Sequence, residues 1–159
     1  MVSASLDMLE ESLVKKLEIM SKIREENARQ KEILSDLDNV EISAFDNTLD
    51  VKGELIDQLN AIDDGFQTMF DKVKDEVGEN KDKYAEQIKR IQKLIHSITD
   101  ASVSIEAEER RNKSLAEKYF NGERERFANG KRSAAAAFNY YQTMSKSKDI
   151  PPQFMDKKN

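Results

Sequence analysis

The residues able to do chemistry are few, and their spacing does not serve a reaction. The single histidine, His96, follows Ile95, an isoleucine of helical spacing, so it belongs at the edge of a core rather than in a ligand set. It has no Glu-x-x-His pairing of the kind from which di-iron bundles build a metal centre. Asp63-Asp64-Gly65 lacks the alternating acidic positions of a calcium loop and lies inside a helical pattern. No phosphate-binding loop or nucleophile elbow is present. Without cysteine, the chain has neither disulfides nor thiolate ligands. Asn112-Lys113-Ser114 matches a glycosylation sequon but comes with no secretory signal. The many acids read as solvated helix faces. The expectation is a protein that is not an enzyme and holds no metal or cofactor.

A chemistry of binding is written near the C-terminus instead. Of the eleven aromatic residues, seven fall at Tyr119, Phe120, Phe127, Phe138, Tyr140, Tyr141 and Phe154. Charge divides in the same place. Residues 1–105 carry 23 acids and 14 bases, whereas residues 106–159 carry 8 acids and 12 bases. The run Ala134-Ala135-Ala136-Ala137-Phe138-Asn139-Tyr140-Tyr141-Gln142-Thr143-Met144 is helix-prone and apolar on one side. Amphipathic helices with aromatic and methionine anchors bind grooves or other helices, and Tyr and Phe are common interface types. Tyr119, Phe120, Phe127, Phe138, Tyr140, Tyr141 and Met144 are therefore the candidate partner-binding residues. Two other uses compete: packing back on the preceding helices, and peripheral contact with a membrane surface through Arg124, Arg126, Lys131 and Arg132. A net charge of −5 argues against a general nucleic-acid binder.

The elements that must carry this segment are long helices. The chain is 36% charged and 38% hydrophobic, with two prolines and no tryptophan, a profile of amphipathic helices. At 159 residues one domain is expected. Leu6, Leu9, Leu13, Leu17, Met20 and Ile23 form a first stripe, which resumes at Leu34 and Leu37. Ser3 or Ser5 is placed to cap it. Arg24 to Glu32 is nearly all polar and reads as solvated, and Asp38-Asn39 as the break. The second stripe is Leu55, Leu59, Ile62, Phe66, Met69 and Val73, with Ser43 or Asn47 as its cap. Lys52, Asp57, Asp64, Asp71, Lys72, Lys74 and Asp75 fall off it, toward water. Gly65, beside the stripe, suggests close helix–helix approach. Gly78 suits the helix end and Asn80 the next cap. The third stripe, Tyr84, Ile88, Ile91, Ile95, Ile98, Ser102 and Ile105, continues in frame onto Glu109, Asn112, Ala116 and Tyr119, where its apolar character fades. Asn121-Gly122 and Asn129-Gly130 are possible turns or hinges, and Ile150-Pro151-Pro152 cannot continue a helix.

The fold expected is all-α: a three-helix antiparallel bundle or coiled coil with a long third helix and an amphipathic C-terminal segment. Residues 1–118 form the bundle, 119–146 the binding segment and 147–159 an extended or disordered tail. No apolar run is long enough to cross a bilayer, so a soluble, cytoplasmic protein is expected.

The stretch from Lys52 to Phe66 (KGELIDQLNAIDDGF), the long third helix and the alanine-rich aromatic tail ending Asp156-Lys157-Lys158-Asn159 resemble FlgN-type flagellar export chaperones. The resemblance spans nearly the whole chain and rests on the order of these features rather than on a sharp motif. It implies a cytoplasmic helical protein that protects hook-associated (hook–filament junction) flagellar proteins as clients before export. It places client binding on the stretch from Tyr119 to Met144 and assigns an export-gate contact to Tyr140 or Tyr141. The chain departs from the pattern in the polar interval Glu106–Lys113, where the binding segment would begin. FliT-type chaperones, which serve the filament cap protein, are similar too. From another class, a structural coiled coil that self-associates without a client is the alternative.

Overall fold

The computed structural model describes residues 4–123. Three α-helices follow one another: α1 (Ala4–Ile33), α2 (Ile42–Val77) and α3 (Ala85–Glu123), the last entered through a 3-10 turn at Lys81–Tyr84. At 1.5 Å per residue they run from about 45 Å to about 58 Å. The chain goes up, down and up. Ser5 near the start of α1 meets Glu76 near the end of α2, and Gln30 meets Thr48, so these two helices are antiparallel. Gln87 meets Asp7 and Arg24 meets Glu108, so α1 and α3 are parallel. The α1 backbone packs closely on both partners. α2 and α3 meet through long side chains, with Phe45 edge-on to Phe120 at 5.8 Å and Lys52 reaching Glu109.

The all-α bundle follows from heptad timing, because only a 3-4 spacing keeps one stripe facing its neighbours over so many turns. Along the third stripe the timing holds, although Ile88 and Ser102 are only half-buried. Tyr84, Ile91, Ile95, Ile98 and Ile105 are buried, and so are Glu109, Asn112, Ala116 and Tyr119. The seam loses its apolar character after Ile105 but not its burial. In α1 the frame is Leu6, Leu9, Leu13, Lys16, Met20, Ile23, Asn27, Gln30 and Leu34. Lys16 thus takes the place expected for Leu17, which is only half-buried. In α2, Ile62 and Met69 are half-buried at the flank, and Ile56 and Phe70 lie deeper.

The helix ends differ from expectation where packing outweighs capping. α2 starts at Ile42, its cap Glu41 makes no side-chain cap bond, and Ser43 is exposed. The buried Phe45 fixes that entry, and its N–H bonds the Glu41 carbonyl at 3.1 Å. Ser5 lies inside the first turn of α1 rather than capping it. Its N–H donates to Glu76 Oε1 at 3.1 Å and its hydroxyl to Glu76 Oε2, so a carboxylate from α2 satisfies the positive end of α1. Gly78 closes α2 at the expected position, with φ +50° and its N–H on the Lys74 carbonyl. Asn80 does precede the next helical turn but makes no side-chain cap bond. Gly65 does not mark a close approach, since a Cβ there would meet only Met69 Cε at 3.9 Å. α3 passes through Asn121-Gly122 without a break.

Candidate functional site: a buried polar layer beneath the aromatic end of α3

Two of the seven candidate binding residues lie among the described ones, and both are core. Tyr119 and Phe120 are buried, their rings edge-to-face at 5.1 Å, and Phe120 also packs on Phe45. They close the end of the bundle with Leu34, Leu49 and Ala116. α3 runs unbroken across residue 118, so these two aromatics belong to the bundle. Phe127, Phe138, Tyr140, Tyr141 and Met144, with the proposed tail, lie outside the described residues.

Directly inward from this aromatic end the frame positions of all three helices turn polar together. α1 contributes Asn27 and Gln30, α2 Thr48 and Lys52, α3 Glu109 and Asn112, and all six are buried. The polar interval of α1 is therefore not simply solvated: Arg24, Glu25, Arg29, Lys31 and Glu32 face water, but the two in-frame amides point inward. Lys52 likewise lies in the interior and not, as its neighbours suggest, toward water. The cause is one of register. Each polar residue sits where the 3-4 frame forces it inside, and each meets a complementary group at the same height.

The layer is one hydrogen-bonded network. Lys52 Nζ donates to Glu109 Oε1 at 2.8 Å and to Gln30 Oε1 at 2.9 Å. Asn112 Nδ2 donates to Gln30 Oε1 at 3.1 Å and to the Asn27 carbonyl at 2.9 Å. Gln30 Nε2 donates to Thr48 Oγ1, whose hydroxyl bonds back to the Phe45 carbonyl. At the rim, Asn27 Nδ2 donates to Glu108 Oε1 at 3.0 Å, and Arg24 pairs with the same carboxylate. Asn27 Oδ1 is buried without a partner, a group costing about 1–3 kcal/mol. Burial pushes the Lys52 ammonium down to about 8, against the pull of Glu109, Glu108 and Glu26. An amine in that range is a candidate nucleophile elsewhere. Here its side chain is fully enclosed, so its role is to join α2 to α1 and α3.

A second buried cation lies in the other half of the bundle. Lys16 Nζ is 2.6 Å from Asp63 Oδ1 and 5.3 Å from the centre of the Phe66 ring. Asp63, weighed above as part of a calcium loop, is thus committed to this ion pair. His96 is exposed. Among the described residues no cluster of His, Asp or Glu is arranged to hold a metal ion, and no helix is long and apolar enough to cross a membrane.

Heptad reasoning placed Glu109 and Asn112 in frame, and the same frame extended along α1 leads to Asn27 and Gln30. The signal that was missed is that all three seams turn polar at matching heights. Compared with protein-family models, curated proteins and solved structures, the chain matches none.

Proposed function

We propose that this protein is an export chaperone of the FlgN type. It is cytoplasmic and works without a cofactor. It covers the terminal helices of a hook-associated client and prevents their premature assembly. The observation that supports this reading is a division of labour along the chain. Residues 1–123 carry 28 acids and 18 bases, and residues 124–159 carry 3 acids and 8 bases. The bundle's seams are spent on one another. The large apolar side chains that its described residues expose are Met8 and Val14 in α1, Leu37 between α1 and α2, and Val103 in α3. Anchors for a partner then fall to Phe127, Phe138, Tyr140, Tyr141 and Met144, around an alanine run that forms helix readily and buries little itself. On this reading Tyr140 or Tyr141 also supplies the contact with the export gate.

The test is a double variant, Phe138→Ala with Tyr141→Ala, assayed for both stability and binding to purified hook-associated proteins. The melting temperature stays nearly unchanged, and affinity falls by about 2 kcal/mol or more per anchor, the scale of an interface hot spot. A loss of stability with client binding intact at low temperature overturns the assignment. Including the filament cap protein in the same assay separates a FliT-type chaperone. A stable multimer in sedimentation that binds none of these proteins makes the chain a self-associating structural coiled coil instead.

A further inference from the structure

The polar layer crosses the core, whose apolar residues otherwise form one continuous cluster. On one side lies the long seam, apolar except for the Lys16–Asp63 pair, from Leu6 to Ile23 in α1, Leu55 to Val77 in α2 and Tyr84 to Ile105 in α3. On the other lies a small cap formed by Leu34, Phe45, Leu49, Ala116, Tyr119 and Phe120. Between them Lys52, Glu109, Gln30, Asn27, Thr48 and Asn112 are buried and bonded mainly to one another. We infer that the last turns of α3, from Glu109 to Phe120, are a strap that opens from α1 and α2 as a unit while the long seam stays closed.

Two features carry this. A buried ion pair returns little net stability, because desolvating both charges offsets their attraction, and here an uncompensated amide oxygen adds a further penalty. The cap beyond it is small: Phe120 packs edge-on to Phe45, Tyr119 packs on Phe120, and Leu34, Leu49 and Ala116 complete it, so opening there gives up less apolar packing than opening the long seam. Opening also returns Lys52 and Glu109 to water, which recovers their hydration. Proteins open in such cooperative pieces where buried apolar contact is sparse. The consequence is that Tyr119 and Phe120 alternate between core and solvent and that the Phe45 face of α2 is uncovered with them. The inference does not depend on the chaperone reading. On that reading the released aromatics join the client-binding segment. The experiment contains no client, so either idea can fail alone.

Native-state hydrogen exchange on the full chain, at several low denaturant concentrations, tests it. Amides from Asn112 to Phe120 exchange with one shared, denaturant-dependent opening, at least about tenfold faster than those from Ile91 to Ile105. The variant Lys52→Met with Glu109→Leu replaces the charges by apolar groups of similar size, and it slows that shared opening about tenfold or more. Equal protection from Ile91 to Phe120 in the unaltered chain overturns the strap. So does a graded loss toward residue 120 with no denaturant dependence, which is simple end fraying. Faster exchange of Asn112–Phe120 in a folded double variant also overturns it, because the layer would then be holding α3 down.

Discussion

Lys52 shows how one residue couples burial to charge. In water a lysine keeps its proton to about 10.5, whereas here burial lowers that to about 8. A depressed folded pKa means that between these two values the unfolded chain binds more protons than the native one, so stability rises with pH across that window. The gain reaches on the order of 3 kcal/mol and is complete only above the unfolded value. Comparing denaturant midpoints of the unaltered chain and of Lys52→Met from pH 7 to 10.5 isolates it from the other titrating groups. The unaltered chain gains relative to the variant as pH rises, and parallel curves mean that Lys52 is hydrated. Phe66 makes the complementary point for an apolar residue. It is buried against Phe70 at 5.6 Å and lies beneath Lys16. Phe66→Ala costs about 3–5 kcal/mol in the same measurement, since it leaves a cavity and removes the ring that shields a buried ammonium.

Each helix is held by its frame rather than by its local signals, and its glycines reveal the slack. Gly53 and Gly65 both lie inside α2, and at Gly53 a Cβ would meet nothing within 4 Å. Alanine at either site therefore raises stability by about 1 kcal/mol, through lost freedom of the unfolded chain and better helix propensity. Thermal melts check this, and destabilisation at Gly65 would show a close contact that the backbone does not have. Gly78 responds in the opposite sense. Its φ of +50° ends α2, so Gly78→Ala lowers stability by about 1 kcal/mol or more. At this same end of the bundle, Glu76 completes the first turn of α1 from a neighbouring helix. Glu76→Ala frees the Ser5 N–H and costs about 1 kcal/mol, the scale of a lost N-cap, in a denaturant titration.

Over the whole molecule, α1 is the shared partner and the polar layer is the point where all three helices are checked against one another. A one-turn shift of α2 would part Lys52 from both Glu109 and Gln30, and a one-turn shift of α1 would part Gln30 from Lys52, Thr48 and Asn112. An unpaired buried charge costs far more than the pair returns, so the layer selects this alignment even though it adds little to stability. The same economy explains why the aromatic end is the place to open. It also bears on the proposed function, because a bundle that spends its apolar surface internally, Tyr119 and Phe120 included, leaves binding on that reading to the residues that follow α3.

Much of this was determined by the sequence alone. Heptad spacing dictated three helices and the complete frame of α3 down to Tyr119, because a 3-4 repeat has one geometric solution per helix; the break it set at Asp38-Asn39 comes earlier, since α1 ends at Ile33 and Leu37 is exposed. The end of α2 followed from Gly78, which takes a positive φ, whereas its start at Ile42 uses neither Ser43 nor Asn47 as a cap. What only the tertiary structure decided was the meaning of polar residues in the frame. A run such as Arg24–Glu32 looks the same whether its in-frame amides face water or a lysine from another helix, since the choice depends on what the neighbour places at that height. Lys16 and Lys52 are inside for that reason, held by Asp63 and Glu109. Tyr119 and Phe120 are core for the same reason, because Phe45 of a distant helix stands where they end.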